Sequence, residues 1–313
     1  MDNNIQSCCG AAKRSAITKK NMKDNNQSIT AKETSSNENM VLIQGGKFLM
    51  GTNDPIQNRG DFEGPVREVA VDSFYIDKYS VTNEQFRQFI DETGYVTDAE
   101  KYGWSFVFYQ FVSKELEKNI SQVVQQTPWW YVVEGAYWKH PEGPDSSIDQ
   151  RLDHPAVHIS WNDAQAYCKW AGKRLPTEKE WEYAARGDLI QQTYPWGNEL
   201  LPDGKHQCNI WQGKFPQVNT KDDGFFGTAP VHTYEANGYG LYQMIGNVWE
   251  WCSHPFYQDT HLMNPEYKEF MVMKGGSYLC HESYCNRYRV AARTGNTMDS
   301  STGNLGFRCV KDL

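Results

Sequence analysis

Residues 275–309 read GGSYLCHESYCNRYRVAARTGNTMDSSTGNLGFRC, with Cys280 and Cys285 separated by four residues and followed by a run of Arg and Tyr. If residues 280–285 formed one extended strand, five steps of about 3.3 Å would place the two sulfurs roughly 16 Å apart, far beyond disulfide reach. The chain must therefore turn at residues 281–283 if the two cysteines act together. The spacing alone favours a local disulfide across such a turn.

The residues around the pair keep two other interpretations open. Two thiolates on one turn could bind a soft monovalent metal, for which copper(I) is the obvious candidate. Positive charge from His281, Arg287, Arg289 and Arg293 would favour thiolate over thiol, and hence metal-binding or nucleophilic chemistry. The eight cysteines include no Cys-x-x-Cys pair and no histidine at zinc-finger spacing, which argues against a structural zinc site.

Composition excludes several classes of function. Hydrophobic residues make up 39% and aromatic residues 14% of the 313 positions, which is typical of a globular chain with a substantial core. A formal net charge of -8 disfavours nucleic acid as a partner. We find no apolar run near the ~20 residues that span a bilayer and no apolar core of a signal peptide, so we expect no membrane association and a cytoplasmic location.

The chain divides into two unequal parts. Residues 1–39 are rich in Asn, Ser, Lys and Gln and contain few large apolar groups, so we predict a disordered N-terminal tail, with Cys8 and Cys9 as exposed thiols. Residues 40–313 are predicted to form a single domain. Its 25 glycines and 13 prolines scattered among aromatic residues indicate an irregular chain with few long elements.

The coarse pattern of the domain mixes short strands and three helices. Residues 40–52, MVLIQGGKFLMGT, are predicted to form two strands hinged at Gly45 and Gly46, because paired glycines supply the positive φ of a tight hairpin. Residues 68–82 alternate apolar and polar side chains, as in a strand. Each helix is predicted from a capping pair and a closing glycine: Thr82 and Gln85 to Gly94, Ser160 and Asp163 to Gly172, and Thr177 and Glu180 to Gly187. The fold class is therefore α+β, with low regular secondary structure.

The tryptophans divide by position. Trp161, Trp170 and Trp181 lie in the second and third predicted helices, where we expect them to pack the helices onto the sheet. Trp249 follows the glycine-rich segment NGYGLYQMIGN, and from its position it could equally line a cleft or fill a core.

These segments together resemble a known family. Residues 275–309 are similar to the C-terminal signature of the formylglycine-generating enzymes, the sulfatase-modifying factors, which share an irregular C-type-lectin-like architecture. The resemblance extends from about Met40 to the end of the chain, through PVREVAVDSFYIDKYSVTNEQF (65–86), HPAVHISWNDAQAYCKWAGKRLPTEKEWEYAARG (154–187) and GNVWEW (246–251). The cysteine pair makes the match specific, because non-catalytic relatives lack it.

The resemblance implies an oxidase that acts on another protein. Such enzymes use copper(I), molecular oxygen and a thiol reductant to convert the cysteine of a Cys-x-Pro-x-Arg segment in an unfolded sulfatase polypeptide into formylglycine. Carried onto this chain, Cys280 and Cys285 would hold the copper and the substrate thiolate would join them as a third ligand. Ser277 would be a polar contact near the reacting atoms, and Trp249 a wall of the pocket.

The resemblance also implies two structural calcium sites. The family's ligand positions map to Asn209, Ile210, Asp223 and Phe225 for the first site and to Gln243, Gly246, Val248 and Glu250 for the second. Carboxylate, amide and main-chain oxygens suit this hard cation. At the second site Gln243 stands where the family has Asn or Asp, and Ser80 where close relatives have Glu, so we expect weaker binding there.

The remaining cysteines bear on the compartment. Cys168 and Cys309 match one family disulfide, whereas Ala185 and Val290 occupy the positions of a second. The loss of both partners together agrees with a chain that folds outside an oxidising compartment. Cys208 and Cys252 match no partner and are interpreted as ordinary buried thiols.

Two alternatives to the copper-dependent oxidase remain. The first is a non-catalytic module of the same fold that binds a peptide or a glycan. The second is an oxidoreductase that uses Cys280 and Cys285 as a dithiol and needs no copper.

Overall fold

Helices and strands in the described part of the chain are short, as the composition predicts. The computed structural model describes residues 37–257 and 270–313. The predicted disordered tail falls outside these residues except for positions 37–39. The α-helices are α1 (Asn83–Thr93), α2 (Asp98–Tyr102), α3 (Lys114–Glu117), α4 (Trp161–Trp170) and α5 (Glu178–Arg186). The strands are β1 (Met40–Ile43), β2 (Gly46–Met50), β3 (Arg67–Val71), β4 (Phe74–Asp77), β5 (Trp104–Phe108), β6 (Val123–Val124), β7 (Thr127–Glu134), β8 (Gly213–Lys214), β9 (Val218–Asn219), β10 (Trp249–Pro255), β11 (Phe270–Lys274), β12 (Arg293–Thr297), β13 (Leu305–Gly306) and β14 (Val310–Asp312).

Strand pairing is dominated by contacts between distant parts of the sequence. The largest sheet has the order β12-β11-β10-β13, with β10 and β13 parallel and the other pairs antiparallel. Strand β4 lies between β1 and β14, so the first and last strands of the domain meet on one central strand. The cysteine segment, residues 280–285, lies between β11 and β12 of the largest sheet.

The predicted hairpin at Gly45 and Gly46 is wrong. Strand β1 pairs with β4 and β2 pairs with β3, and neither glycine has a positive φ. Gly45 is small for a different reason: a Cβ there would lie 2.7 Å from the backbone nitrogen of Ser73 and 2.7 Å from the carbonyl oxygen of Val71. The absence of a side chain at Gly45 therefore lets the connection between β1 and β2 pack closely against residues 71–73.

The three predicted helices are confirmed. Each has the expected capping box, in which the N-cap hydroxyl and the third residue's side chain bond to each other's backbone N–H. Helix α4 ends slightly early, at Trp170. Helix α2 was not predicted from the sequence, although Thr97 and Glu100 form the same capping box, because its five residues offer no helical apolar repeat. The single turn α3 was not predicted either.

The core is rich in aromatic side chains. Trp181 is fully buried and Trp170 is 6% exposed, while Trp161 packs on the core from its edge. Trp161 and Trp181 join their helices to β10 of the largest sheet: the Trp161 indole N–H donates to the carbonyl oxygen of Cys252 at 3.0 Å, and that of Trp181 donates to Glu250 Oε2 at 2.7 Å. The packing role predicted for these two tryptophans is confirmed, whereas Trp170 packs on Phe89 of α1, with ring centroids 5.5 Å apart.

Candidate active site

A tight turn brings the two cysteines together. The Sγ atoms of Cys280 and Cys285 lie 2.8 Å apart. The carbonyl oxygen of His281 accepts backbone N–H groups from Cys285 at 2.9 Å and Asn286 at 3.1 Å, and Trp211 donates its own N–H to the Cys280 carbonyl oxygen at 3.0 Å. The turn expected at residues 281–283 is therefore present, and its backbone is held from both sides.

Both sulfurs lie beneath the surface. Cys280 is 1% and Cys285 is 5% exposed, whereas Glu282 and Ser283 in the connecting turn are exposed. The connecting turn is thus more exposed than the two cysteines that it joins.

Ser277 and Asn304 connect the cysteines to Trp249. The Ser277 backbone N–H donates to Cys280 Sγ at 3.4 Å, and the Ser277 hydroxyl oxygen accepts from Asn304 Nδ2 at 2.8 Å and from the Leu279 N–H at 3.3 Å. Since both lone pairs of that oxygen are engaged, its own hydrogen is left to donate. The Asn304 carbonyl oxygen in turn accepts the Trp249 backbone N–H at 2.9 Å.

Trp249 is wholly buried, in the same apolar cluster as the two cysteines. Its indole N–H has no hydrogen-bond partner among the described residues. A buried donor without a partner carries an energetic cost and is available to a ligand.

The positive charge expected at the pair is compensated. Each of the three nearby guanidinium groups forms an ion pair with a carboxylate: Arg287 with Asp61, Arg289 with Glu63, and Arg293 with Glu178. His281 is half-buried and bonds Ser283 through its Nδ1 atom at 2.8 Å. These residues therefore favour thiolate at the two sulfurs less than the sequence predicts, because ion-paired charges act on neighbours less than free ones.

The first predicted calcium site contains an acceptor cradle. Asp223 is 8% exposed, and burial raises its pKa although hydrogen bonds from the Phe225 N–H, the Gln212 amide and the Ile210 N–H oppose the effect. Gln212 donates its side-chain amide to Asp223 Oδ2 at 2.8 Å and also to the carbonyl oxygen of Ile210. The Gln212 amide thus lies between two of the four predicted ligands, a carboxylate oxygen and a main-chain oxygen, both of which could bind a cation. These oxygen ligands fit calcium.

The other two predicted ligands of that site, Asn209 and Phe225, form hydrogen bonds that fix the backbone there. Asn209 donates its side-chain amide to the carbonyl oxygen of Gly227 at 2.8 Å, and Phe225 donates its N–H to Asp223 Oδ1 at 3.0 Å. These bonds fix the loop of residues 222–227 against residue 209.

The second predicted calcium site fits less well. Glu250 accepts four hydrogen bonds, two of them from Arg308 at 2.7 and 2.8 Å and one each from Ser80 and Trp181. These occupy its usual acceptor positions. Gln243 Oε1 is buried without a partner among the described residues, while its Nε2 donates to the Pro230 carbonyl oxygen at 2.7 Å.

The other parts of the second site are main-chain positions. Gly246 has a φ of 75°, a conformation that favours glycine, and Val248 is 2% exposed. Of the side chains at this site, only Gln243 therefore offers an unused acceptor.

Four further cysteines are buried thiols. The Sγ atoms of Cys168 and Cys309 lie 3.4 Å apart, within hydrogen-bond distance and without a disulfide bond, and burial raises the pKa of Cys309. Burial likewise raises the pKa of Cys208 and Cys252, as expected for ordinary core thiols. Ala185 and Val290 are both fully buried side chains of the core.

Within residues 37–257 and 270–313, the structure contains no group of three or more His, Cys, Asp or Glu side chains that could hold a metal ion. In the same ranges, none of the helices has the length and apolar character needed to cross a bilayer.

An aromatic surface adjoins the cysteine turn. Tyr284 stacks on Phe215, with ring centroids 4.7 Å apart, and meets the edge of Trp129 at 4.7 Å. All three rings are half-buried. The surface beside the thiols is therefore suited to apolar groups.

The fold defines an irregular α+β class that is also seen in a solved structure. PvdO from Pseudomonas aeruginosa superposes with a TM-score of 0.61 at 23% identity, over 88% of this chain and 94% of that chain. Within that class, a family model described as "Sulfatase-modifying factor enzyme 1-like domain" matches residues 25–313. The chain belongs to this family of formylglycine-generating enzymes, which confirms the resemblance, the fold class and the prediction of an enzyme.

Relatives with different names share similar identity with this chain. A protein named formylglycine-generating enzyme from Thermomonospora curvata is 58% identical over 283 residues, covering 87% of this chain and 93% of its own. The mouse protein of the same name is 56% identical over 279 residues, with 87% and 75% covered. A Bos taurus protein named inactive C-alpha-formylglycine-generating enzyme 2 is 50% identical over 274 residues, covering 87% of each chain. Overall identity therefore does not distinguish relatives named as active from those named as inactive. Activity has to be judged from the residues of the site.

Two residues of the site were missed from the sequence. Asn304 lies in the quoted signature, but nothing in its spacing marks it as the link between Ser277 and Trp249. Gln212 lies two residues after Ile210, and only the fold shows its amide between two predicted ligands.

Proposed function

We propose that this chain is a copper-dependent formylglycine-generating enzyme that oxidises the cysteine of a Cys-x-Pro-x-Arg segment in an unfolded sulfatase. The observation that carries the proposal is the pair of cysteine sulfurs 2.8 Å apart on a fixed turn, in a chain of this family. Two soft ligands so placed are the donor set that copper(I) prefers. Copper(I) would supply the one-electron chemistry by which oxygen is activated.

The overall reaction requires a reductant. One substrate thiol, one molecular oxygen and two thiols of the reductant give the aldehyde, hydrogen sulfide, a disulfide and water. The substrate carbon loses its sulfur and is oxidised, and the four electrons that oxygen accepts come equally from the substrate and from the reductant.

The protein's own groups position the sulfurs. Cys280 and Cys285 would hold copper(I) as thiolates, and the N–H of Ser277 directed at Cys280 Sγ stabilises negative charge on that sulfur. The Ser277 hydroxyl hydrogen is free to donate to a reacting atom. Trp249 contributes an apolar wall and an unpaired N–H, and its burial excludes water.

The substrate would bind across the turn. The half-buried rings of Trp129, Phe215 and Tyr284 would pack against the proline and other apolar groups of the segment. The net charge of -8 would attract its arginine. An unfolded chain can follow this surface where a folded one cannot.

Calcium is proposed as a structural ion. Asn209, Ile210, Asp223 and Phe225 would hold one ion, whose charge would compensate the buried Asp223 carboxylate. At the second site, Gln243, Gly246, Val248 and Glu250 would bind more weakly, because Arg308 already neutralises Glu250. A cytoplasmic location remains a prediction from the sequence.

The proposal is tested with a peptide substrate. The purified protein, loaded with copper(I) and supplied with oxygen and a thiol reductant, should convert a Cys-x-Pro-x-Arg peptide into a product that reacts with hydroxylamine, as read by mass spectrometry. Omission of copper should abolish the product. Peptide binding without product would support the non-catalytic module, and copper-independent reduction of general disulfides would support the dithiol oxidoreductase.

A further inference from the structure

The Cys285 side of the cysteine turn is held by two arginine side chains as well as by its own backbone. The carbonyl oxygen of Cys285 accepts from Arg287 Nη1 at 3.4 Å, and that of Asn286 accepts from Arg289 Nε at 2.8 Å. Asn286 has a φ of 45°, in the left-handed region that few residues other than glycine adopt. The shorter of the two bonds, from Arg289, therefore fixes the residue at which the chain reverses, next to Cys285.

The Arg289 guanidinium is positioned in turn by Glu63. Its Nη1 and Nη2 atoms donate to the two carboxylate oxygens of Glu63 at 2.6 and 2.8 Å, and both side chains are buried. Arg287 and Asp61 form a second buried ion pair beside this one. A planar guanidinium held by two parallel hydrogen bonds has little freedom to rotate, so its Nε stays directed at Asn286.

Both carboxylates belong to one segment, residues 58–63, which we call the strap. The strap lies more than two hundred positions before the cysteines, so only the fold brings the two together. Its Phe62 ring meets the rings of Phe256 and Tyr257, which follow β10, edge-on with centroids 6.3 Å apart in each case. The strap is therefore anchored on the largest sheet as well as on the turn that it holds.

We propose that the strap is a positioning element for the cysteine pair, in which Glu63 acts through Arg289 to keep Cys285 close to Cys280. Without this tether, the backbone bonds to the His281 carbonyl oxygen would still close the turn, but its Cys285 side would sample a wider range of positions. The two sulfurs would then meet less often, which lowers their effective concentration towards each other and towards a shared ligand. That this ligand is copper(I) rests on the proposed function.

The thiol–disulfide equilibrium of the pair with glutathione measures this proximity without copper or peptide. One glutathione disulfide oxidises the two cysteine thiols to an intramolecular disulfide and is itself reduced to two glutathione thiols, so the equilibrium constant is an effective concentration. Mass spectrometry of the alkylated tryptic peptide that carries both cysteines distinguishes this disulfide from any other. A copper(I) competition titration is the second readout.

Glu63→Gln/Arg289→Met removes the tether and both charges, so no buried charge is left unpaired. Gln also retains the oxygen that accepts the Asn58 N–H at 3.0 Å, so the melting temperature should stay close to that of the wild type. We expect the effective concentration of the pair, and the copper(I) affinity with it, to fall by about tenfold or more. Arg289→Lys keeps the ion pair but lacks the fork that reaches Asn286, and it should show a fall in the same direction.

The matched control is Glu142→Gln/Arg151→Met. Glu142 and Arg151 also form a bidentate pair at 2.6 and 2.8 Å, and Arg151 Nη2 also donates to a main-chain carbonyl oxygen, that of Ser147, at 2.8 Å. This pair holds a different loop, so both readouts should match the wild type. Wild-type effective concentration in Glu63→Gln/Arg289→Met and in Arg289→Lys, or an equal fall in the control, would overturn the positioning role whether or not the chain forms aldehyde.

Discussion

At the scale of single residues, the hydroxyl group of Ser277 is the one to which we assign a part in the proposed oxidation. Its oxygen accepts from Asn304 and Leu279, which directs the hydroxyl hydrogen outward from those two donors. A hydrogen-bond donor fixed in advance stabilises developing charge without reorganising during the reaction. Ser277 therefore differs from a serine whose hydroxyl group only bonds to the nearby backbone, because its hydroxyl hydrogen is left to donate.

Substitution of Ser277 by alanine tests this role. We expect kcat to fall by about 100-fold, the loss typical of removing one fixed donor to a reacting centre. The copper affinity should change little, because both thiols remain. Steady-state kinetics on the peptide and a copper(I) competition titration measure the two effects.

Ser253→Ala serves as the control for Ser277→Ala. Ser253 is half-buried and its hydroxyl donates to the Pro176 carbonyl oxygen at 3.2 Å, outside the site. An unchanged kcat in Ser277→Ala, or an equal loss in both variants, would contradict the assigned role.

Single residues could be predicted where a pattern marks them. The spacing of Cys280 and Cys285 required a turn, and the structure contains it. The sequence could not reveal that Asp61 and Glu63, more than two hundred positions earlier, compensate the arginines beside the pair. It could not reveal the link through Asn304 either, since both depend on contacts between distant segments.

At the scale of elements, two helix starts share a buried acidic pair. Asp98 begins α2 and Asp163 lies in the first turn of α4, and the Asp98 N–H donates to Asp163 Oδ1 at 3.0 Å. Burial, and then the charge of Asp98, raises the pKa of Asp163 from 3.8 to about 7. The folded state therefore holds a proton that the unfolded chain releases between these values.

This pair gives a pH dependence of defined sign. The contribution of Asp163 to stability is fully present below about pH 4 and is lost as the pH rises through about 7. Asp98→Asn removes one cause of the shift, so its free energy of unfolding relative to wild type should rise across that window. The rise should be about 1 kcal/mol, the equivalent of roughly one pKa unit.

Urea unfolding at several pH values measures that slope. Asp91→Asn, at an exposed position of α1, is the control and should show no pH-dependent difference from wild type. A relative stability of Asp98→Asn that stays flat or falls with rising pH would be inconsistent with the acidic pair.

The N-termini of the helices were the easiest structural features to predict from the sequence. A capping box is local, so Thr82, Ser160 and Thr177 marked three helices correctly. The same signal at Thr97 was missed because the helix is only five residues long. Strand pairing was not open to local reasoning, since β2 pairs with β3 across the loop of residues 51–66 and not with the adjacent β1.

At the scale of the whole molecule, calcium at the first site should tie distant loops together. Residues 209–210 and 223–225 come from different loops that meet at Asp223. Added calcium should raise the melting temperature of the wild type, by an amount equivalent to about 2.7 kcal/mol at a hundredfold excess over the Kd. Differential scanning fluorimetry with calcium, and with a chelator, measures it.

Asp223→Asn should lose most of the calcium response. In the presence of the chelator the variant should be no less stable than wild type, because burial of the Asp223 carboxylate is unfavourable without a cation. Asp222→Asn, at the exposed neighbouring position, should respond like wild type. A wild type that is insensitive to calcium would rule out the first site.

The irregular α+β class could be predicted from composition, because many glycines, prolines and aromatic rings with few helical repeats leave little room for long elements. The arrangement of the sheets could not, since β1 and β14, at opposite ends of the domain, both pair with β4. Such pairing depends on the fold of the whole chain and not on any local sequence pattern.

The most direct test of the account is the formation of aldehyde by four proteins under identical copper loading: the wild type, Cys280→Ser, Cys285→Ser and Cys252→Ala. Cys252 is a fully buried thiol of β10 and controls for the loss of a cysteine. The account predicts formylglycine peptide from the wild type and from Cys252→Ala, with no product above the copper-free background from either serine variant. Product from Cys280→Ser or Cys285→Ser at the wild-type rate, or none from the copper-loaded wild type, would contradict it.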